Sequence, residues 1–180
     1  MERCSQCGGG LKTLEDRPYH YTESGLDYVW LIGILQYRCE KCGESSVEIP
    51  RINRLHLLIG STIVRKKELL TGSEVRFLRK EIDMKSKDIA AALSIEPETY
   101  SRWENGKQAV AAYHDKSLRM IYVMNASENL GKVLSQDSRF ELHNIAVEKA
   151  PKESAKVQFA PPEWLNRLDE PIFGRRAGAV

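Results

Sequence analysis

Two hydrophobic periods divide the chain. Before residue 50 there is no helical apolar repeat; aromatic and β-branched residues alternate with glycines and charged turns. Residues 17–21, 28–32 and 34–39 therefore predict short antiparallel strands, with Glu23, Ser24 and Gly25 as a hairpin loop. The alternation fails through Val29, Trp30, Leu31 and Ile32, so both faces of that strand must be buried, or the strand must lie against a partner. From Pro50 the spacing becomes three and four: Ile52, Leu55, Leu58, Ile59, Thr62 and Ile63 predict a helix over 51–67. Pro50 suits the first turn of such a helix, and Arg65, Lys66 and Lys67 suit its C-terminus. Thr71 or Ser73 can cap the next helix. Helices are predicted at 74–82, 86–93, 97–104 and 115–124, with a shorter one near 127–134.

From 135 onward, Pro151, Pro161, Pro162 and Pro171 interrupt a weak alternation at Phe140, Leu142, Val157 and Phe159. This stretch reads as an extended arm with short strands, and 174–180 as a loose tail. The expected class is α+β: a small β-hairpin module (1–49), a connecting helix (50–70), an all-α domain (71–134) and the arm (135–180).

Composition narrows the options. A chain of 180 residues holds one medium domain or two small ones. The longest apolar run, from Tyr28 to Leu35, is far short of the roughly 17–25 residues that a spanning helix needs, so no membrane segment is expected. Met1 is followed by Glu2, Arg3 and Cys4 with no apolar leader, which predicts a cytoplasmic protein. Basic and acidic residues number five and eight in 1–50, fourteen and nine in 51–119, and eight and eight in 120–180. Only the middle segment carries the positive excess that suits a polyanion.

Cys4 and Cys7 with Gly8, and Cys39 and Cys42 with Gly43, have one form: two residues between thiols and a glycine after them. Such spacing lets both sulfurs of a pair reach one ion, and the glycine lets the chain turn so that its amides face the sulfurs. Two pairs give tetrahedral S4 coordination, which favours a closed, structural Zn2+. A hairpin between the pairs would bring them together, and the ion would supply folding energy that a segment this small lacks. Iron in the same ligands and a pair of redox dithiols are the competing readings. His20, between two tyrosines, is expected to pack or face solvent, since four thiolates fill the coordination sphere.

Residues 72–106 follow a helix-turn-helix logic. Val75, Leu78 and Ile82 form one inner stripe; Ile89, Ala90 and Leu93 form the next, with Ala90 small where two helices cross. Ile95 plugs the turn, Pro97 starts the third helix, and Tyr100 and Trp103 anchor it from inside. That leaves Glu98, Thr99, Ser101 and Arg102 free to enter a major groove of double-stranded DNA, with Arg102 reading guanine or holding a phosphate. Ser86, Lys87 and Thr99 are expected as DNA-backbone contacts. Lys107 is either a further DNA contact or a solvated face. Glu104, next to the core Trp103, is expected to pair with Arg79.

These residues resemble the Xre-type, lambda-repressor-like helix-turn-helix family. The order of modules, a cysteine pair, a hairpin, a second pair, a connecting helix and then this domain, resembles the MqsA/YgiT family of type II toxin–antitoxin antitoxins over residues 1–130. The resemblance implies a structural zinc, an N-terminal module (1–49) that binds a toxin, and a homodimer that represses its own operon by binding a palindromic operator. It also implies that Pro97 and Glu98 start the recognition helix and that Arg79 pairs with Glu104. The family reads bases with an Asn and an Arg one turn apart. Arg102 matches the Arg, but the Asn position is Glu98, so the operator sequence does not transfer.

A homodimer would match two half-sites about 34–36 Å apart. Leu118, Ile121, Tyr122 and Met124, with Val133 and Leu134, form either its interface or the last layer of the monomer core. A stand-alone regulator without a toxin is the alternative function, and a zinc-bound adaptor without DNA is another. Catalysis is not expected: the histidines at 20, 56, 114 and 143 are scattered and no phosphate loop or nucleophile motif is present.

Overall fold

The computed structural model describes residues 3–14, 17–129 and 155–165. Five strands come first: β1 (Leu11–Leu14), β2 (Tyr19–His20), β3 (Val29–Leu31), β4 (Leu35–Cys39) and β5 (Ser45–Glu48). Five helices follow: α1 (Ile52–Arg65), α2 (Gly72–Glu81), α3 (Ser86–Ala92), α4 (Pro97–Glu104) and α5 (Ala112–Asn129). A last strand and a short helix, β6 (Val157–Phe159) and α6 (Pro161–Leu165), close the described chain. The result is a mixed α+β fold, with a small β region beside the cysteines joined to a multi-helix bundle.

The strands form two three-stranded sheets. An outer sheet, ordered β1-β4-β5 and wholly antiparallel, carries the cysteines. An inner sheet, ordered β2-β3-β6, packs on the helices. The strands at 17–21, 28–32 and 34–39 are present in shortened form but fall in both sheets. β1 and β5 were not foreseen, because Lys12, Thr13, Ser45 and Ser46 are exposed edge positions with no apolar alternation to detect.

β3 meets the second of the two conditions its unbroken apolar run set, for it lies against a partner, while only one of its faces is fully buried. Val29 and Leu31 are buried in the core. Trp30 faces the other way, stacked on His20 with centroids 4.4 Å apart and with the Lys156 ammonium 4.0 Å above its ring. The strand's partner is β6, from the part of the chain read as an extended arm. β6 lies parallel to β3, and is fixed by the Val157 amide donating to the Tyr28 carbonyl and the Ile32 amide donating to the Phe159 carbonyl, each at 2.9 Å. Trp164 of α6 is buried, and its indole N–H donates to the Pro50 carbonyl at 2.8 Å. The alternation at Phe140 and Leu142, the helix end at 130–134 with Val133 and Leu134, and the tail 174–180 lie outside the described residues.

Pro50 does not enter α1. Arg51 adopts a left-handed conformation, φ 50°, that turns the chain from β5 into the helix, so Pro50 stays on the strand side. α2 begins with a capping box: Thr71 accepts the Glu74 amide while the Glu74 carboxylate accepts the Thr71 amide at 2.7 Å. Glu74 is buried, and also accepts the Tyr28 hydroxyl at 2.8 Å and the Lys66 ammonium at 2.5 Å, so one carboxylate joins β3, the end of α1 and the start of α2. A second link runs from Tyr21 through His56, which it meets at 2.6 Å, to Glu81 at 2.9 Å. Burial, with Glu23 and Glu81 nearby, pushes the Tyr21 hydroxyl up to about 12, so it stays protonated.

Gly72 marks the closest approach of α2 to α4. A Cβ there would stand 2.4 Å from the Trp103 carbonyl oxygen and 2.8 Å from the Gly106 amide nitrogen. Gly72→Ala gains about 1 kcal/mol of helix propensity, but forcing two backbones apart costs about 1–3 kcal/mol or more. The variant is expected to be less stable than the parent in urea unfolding, and equal or greater stability would mean that the two helices do not meet there.

Candidate functional site

The outer sheet is the device that assembles the four cysteines. β1 pairs with β4 so that Leu11 faces Cys39, which places the first cysteine turn beside the second. Both turns have one geometry: the Gly8 amide donates to the Cys4 carbonyl at 2.9 Å, and the Gly43 amide to the Cys39 carbonyl at 3.0 Å. Gly8 and Gly43 have φ of 68° and 76°, values that glycine adopts without strain. Gly9 is needed for space: a Cβ there would lie 2.9 Å from the Lys41 Cβ and 3.1 Å from the Cys39 Sγ.

The four sulfurs lie within 4.8 Å of one another. Cys4 and Cys42 are 3.7 Å apart and Cys7 and Cys39 3.5 Å. A tetrahedron with metal–sulfur bonds of about 2.3 Å has edges of about 3.8 Å, so the donor set fits one four-coordinate ion. The amides turned onto the sulfurs favour thiolate, although crowding against the other thiols pushes Cys7 up and Cys42 up to about 12 in the absence of an ion. The Cys42 amide above all, with Lys41's, holds the Cys39 thiol down to about 6 against the opposing effect of burial. His20 stands apart: its Nε2 meets the Asp27 carbonyl at 2.6 Å.

The second candidate region is α4. Tyr100 and Trp103 are buried, with their rings 6.0 Å apart. Arg79 Nε lies 2.6 Å from Glu104 Oε1 and Nη2 3.3 Å from Oε2, while Nη1 donates to the Met84 carbonyl at 2.9 Å. The hydrogen bond to Glu104 is the main cause that raises the Arg79 pKa above its ordinary value. With its inner side held this way, α4 leaves Glu98, Ser101 and Arg102 exposed and Thr99 half-buried. Lys87 and Lys107 are exposed as well, whereas Ser86 is half-buried and its hydroxyl points to Glu104 Oε2 at 3.5 Å. Ser86 thus faces the ion pair.

Arg76 and Asn105 were not foreseen. Arg76 Nη2 donates to Asn105 Oδ1 at 2.8 Å and to the Glu104 carbonyl at 3.2 Å, and Asn105 Nδ2 donates to the Ser101 carbonyl at 2.8 Å. Together they close the C-terminal end of α4 onto α2. The available signal was Asn105 before Gly106, a combination that often ends a helix.

Compared with protein-family models, curated proteins and solved structures, the chain matches none of them.

Proposed function

We propose that this protein is an antitoxin-like transcriptional repressor that binds palindromic operator DNA as a homodimer, its four cysteines holding a structural Zn2+. The observation that carries the reading is the two-sidedness of α4. Tyr100, Trp103 and the Arg79–Glu104 pair fix it from within, while Glu98, Ser101 and Arg102 stand in solvent on one helix. In this reading α3 and α4 are a helix-turn-helix and α4 enters the major groove, with Lys87 and Lys107 against phosphates. Zn2+ is favoured because four thiolates at tetrahedral spacing leave no open position for chemistry. The reading gives the protein no enzymatic role.

The dimer face we assign is the outer side of α5. Leu118 and Tyr122 are buried within the monomer, but Tyr113, Met120 and Met124 are 76%, 51% and 52% exposed and lie along one side of the helix. The cognate toxin, in the family resembled, docks on the N-terminal module; here the outer sheet presents β1 and β5 as edges.

Retardation of the DNA upstream of the protein's own gene tests the reading. Arg102→Ala should weaken binding by about 1–3 kcal/mol, roughly five- to 150-fold, without loss of helical signal, because the side chain is exposed. Binding of the parent protein should fall steeply with added salt. Unchanged affinity in the variant removes α4 as the reading helix, and no retardation by the parent protein leaves the adaptor role instead. Co-purification of a small protein with residues 1–49 intact separates the antitoxin from a stand-alone regulator.

A further inference from the structure

Between the inner sheet and α1 lies a half-open cleft of about 230 Å³. Its walls are apolar: Val29 from β3, Ile59 and Ile63 from α1, and Val157 and Phe159 from β6. Tyr28, Lys66, Glu68 and Glu74 stand at its polar end. Three of these four satisfy one another, since Glu74 accepts the Tyr28 hydroxyl at 2.8 Å and the Lys66 ammonium at 2.5 Å. The Glu68 carboxylate is different: no partner reaches it among the described residues, although its backbone carbonyl accepts from Arg119 at 2.6 Å. Lys66 and Glu74 cancel, so among the described lining residues Glu68 is the one whose charge has no counter-charge.

Size and polarity together choose the ligand. Protein interiors rarely keep space larger than a water molecule, and an apolar cavity of about 150 Å³ already accepts benzene. A cleft of about 230 Å³ therefore has room for a six-membered ring and a short arm. An anion would meet Glu68 with the wrong sign, and a neutral hydroxyl would gain one ordinary hydrogen bond. A protonated amine would gain a charge-assisted one in a partly desolvated place.

We propose that this cleft binds a primary amine carried on a small apolar body, with the ring or alkyl group among Val29, Ile59, Ile63, Val157 and Phe159 and the ammonium on Glu68. The site goes beyond the DNA-binding reading and does not depend on it. Because its walls come from β3, α1, the cap of α2 and β6, an occupant joins the N-terminal strands, the helices and the returning C-terminal strand, and stabilises the folded chain by mass action.

Phenethylamine, phenethyl alcohol and hydrocinnamate share one ring and differ in the head group, which makes them the probes. With the full-length, metal-loaded protein, calorimetric titration is expected to show the amine binding about tenfold or more tighter than the alcohol, in keeping with a charged against a neutral hydrogen bond, and hydrocinnamate not binding. The amine should also raise Tm. Glu68→Gln should bring the amine and alcohol affinities together while leaving the ring contacts. Thr62→Phe, at the exposed lip of the cleft on α1, should abolish binding of both with helical signal and metal content retained. An amine that binds no better than the alcohol, a preference that survives Glu68→Gln, or affinity indifferent to Thr62→Phe overturns the assignment. None of these measurements contains DNA, so their failure and a failure of operator retardation are separate results.

Discussion

Stripping the metal with a chelator is expected to unfold the outer sheet, β1, β4 and β5 with the two cysteine turns, and to leave the inner sheet and helices folded. The reason is how little else holds the outer sheet. Among its described side chains only Cys4 and Cys39 are buried; Leu11, Leu14 and Val47 are half-buried and Leu35 is 50% exposed. Burial of about 25 cal/mol per Å2 over so few apolar groups does not offset the ordering of some two dozen residues at about 1–2 kcal/mol each. A structural Zn2+ in four thiolates contributes about 10–16 kcal/mol in small modules, far more than any other single contact in this sheet. Without it, four sulfurs crowded within 4.8 Å have no common partner. The inner sheet has its own core, with Tyr21, Leu26, Val29, Leu31, Phe159 and Trp164 all buried. Hydrogen exchange read by mass spectrometry should therefore show protection lost in 3–14 and 35–48 and kept in 19–31 and in α1–α5. Protection that persists in 3–14 after the metal is fully removed would mean that the sheet folds without it, and the four-cysteine centre would lose its structural role.

What the sequence made legible follows from the range of each signal. Helices α2 to α4, the cap at Thr71 and the helix start at Pro97 rest on neighbours three or four residues apart, and local spacing shows them. The two cysteine pairs are as plain, because metal chemistry fixes ligand type and spacing. Long-range pairing has no such signature. β6 joins β3 in parallel across more than a hundred residues, and Val157, Gln158 and Phe159 look like any short apolar fragment until Val29 and Leu31 lie beside them. α5 was read as two pieces, 115–124 and 127–134, because Ser127 resembled a cap; the helix runs unbroken through Asn129. The largest omission was Asp115 and Arg119. An acid and a base four apart on a helix usually mark a solvated face. Yet 115, 119, 122 and 126 lie on one side of α5, with Tyr122 and Ala126 buried there, and charges on an apolar stripe were the sign that this pair points inward.

That pair sets the second large effect: Asp115→Ala is expected to destabilise the protein by about 3–5 kcal/mol, a large part of an ordinary domain's stability. Both side chains are completely buried, and Arg119 Nε meets Asp115 Oδ1 at 2.6 Å. Arg119 also donates to four carbonyls at and just beyond the end of α1: Ile63 at 3.4 Å, Val64 at 3.1 Å, Lys66 at 2.6 Å and Glu68 at 2.6 Å. Asp115 Oδ2 accepts the Leu70 amide at 2.6 Å. One buried pair thus caps α1 and fixes residues 66–70, the connection that delivers Thr71 to its capping position on α2. Removing the carboxylate leaves a buried guanidinium with neutral acceptors alone. For many buried ion pairs, replacing both members by apolar residues restores stability. Here Asp115→Leu with Arg119→Met should not, because the carbonyls at the end of α1 and the Leu70 amide would lose their partners, at about 1–3 kcal/mol for each that water does not reach. Urea unfolding of the two single variants and the double variant decides the matter. A double variant as stable as the parent would reduce the pair to a replaceable piece of packing, whereas one no better than the singles identifies it as the clasp that holds α1, the connection and α5 together.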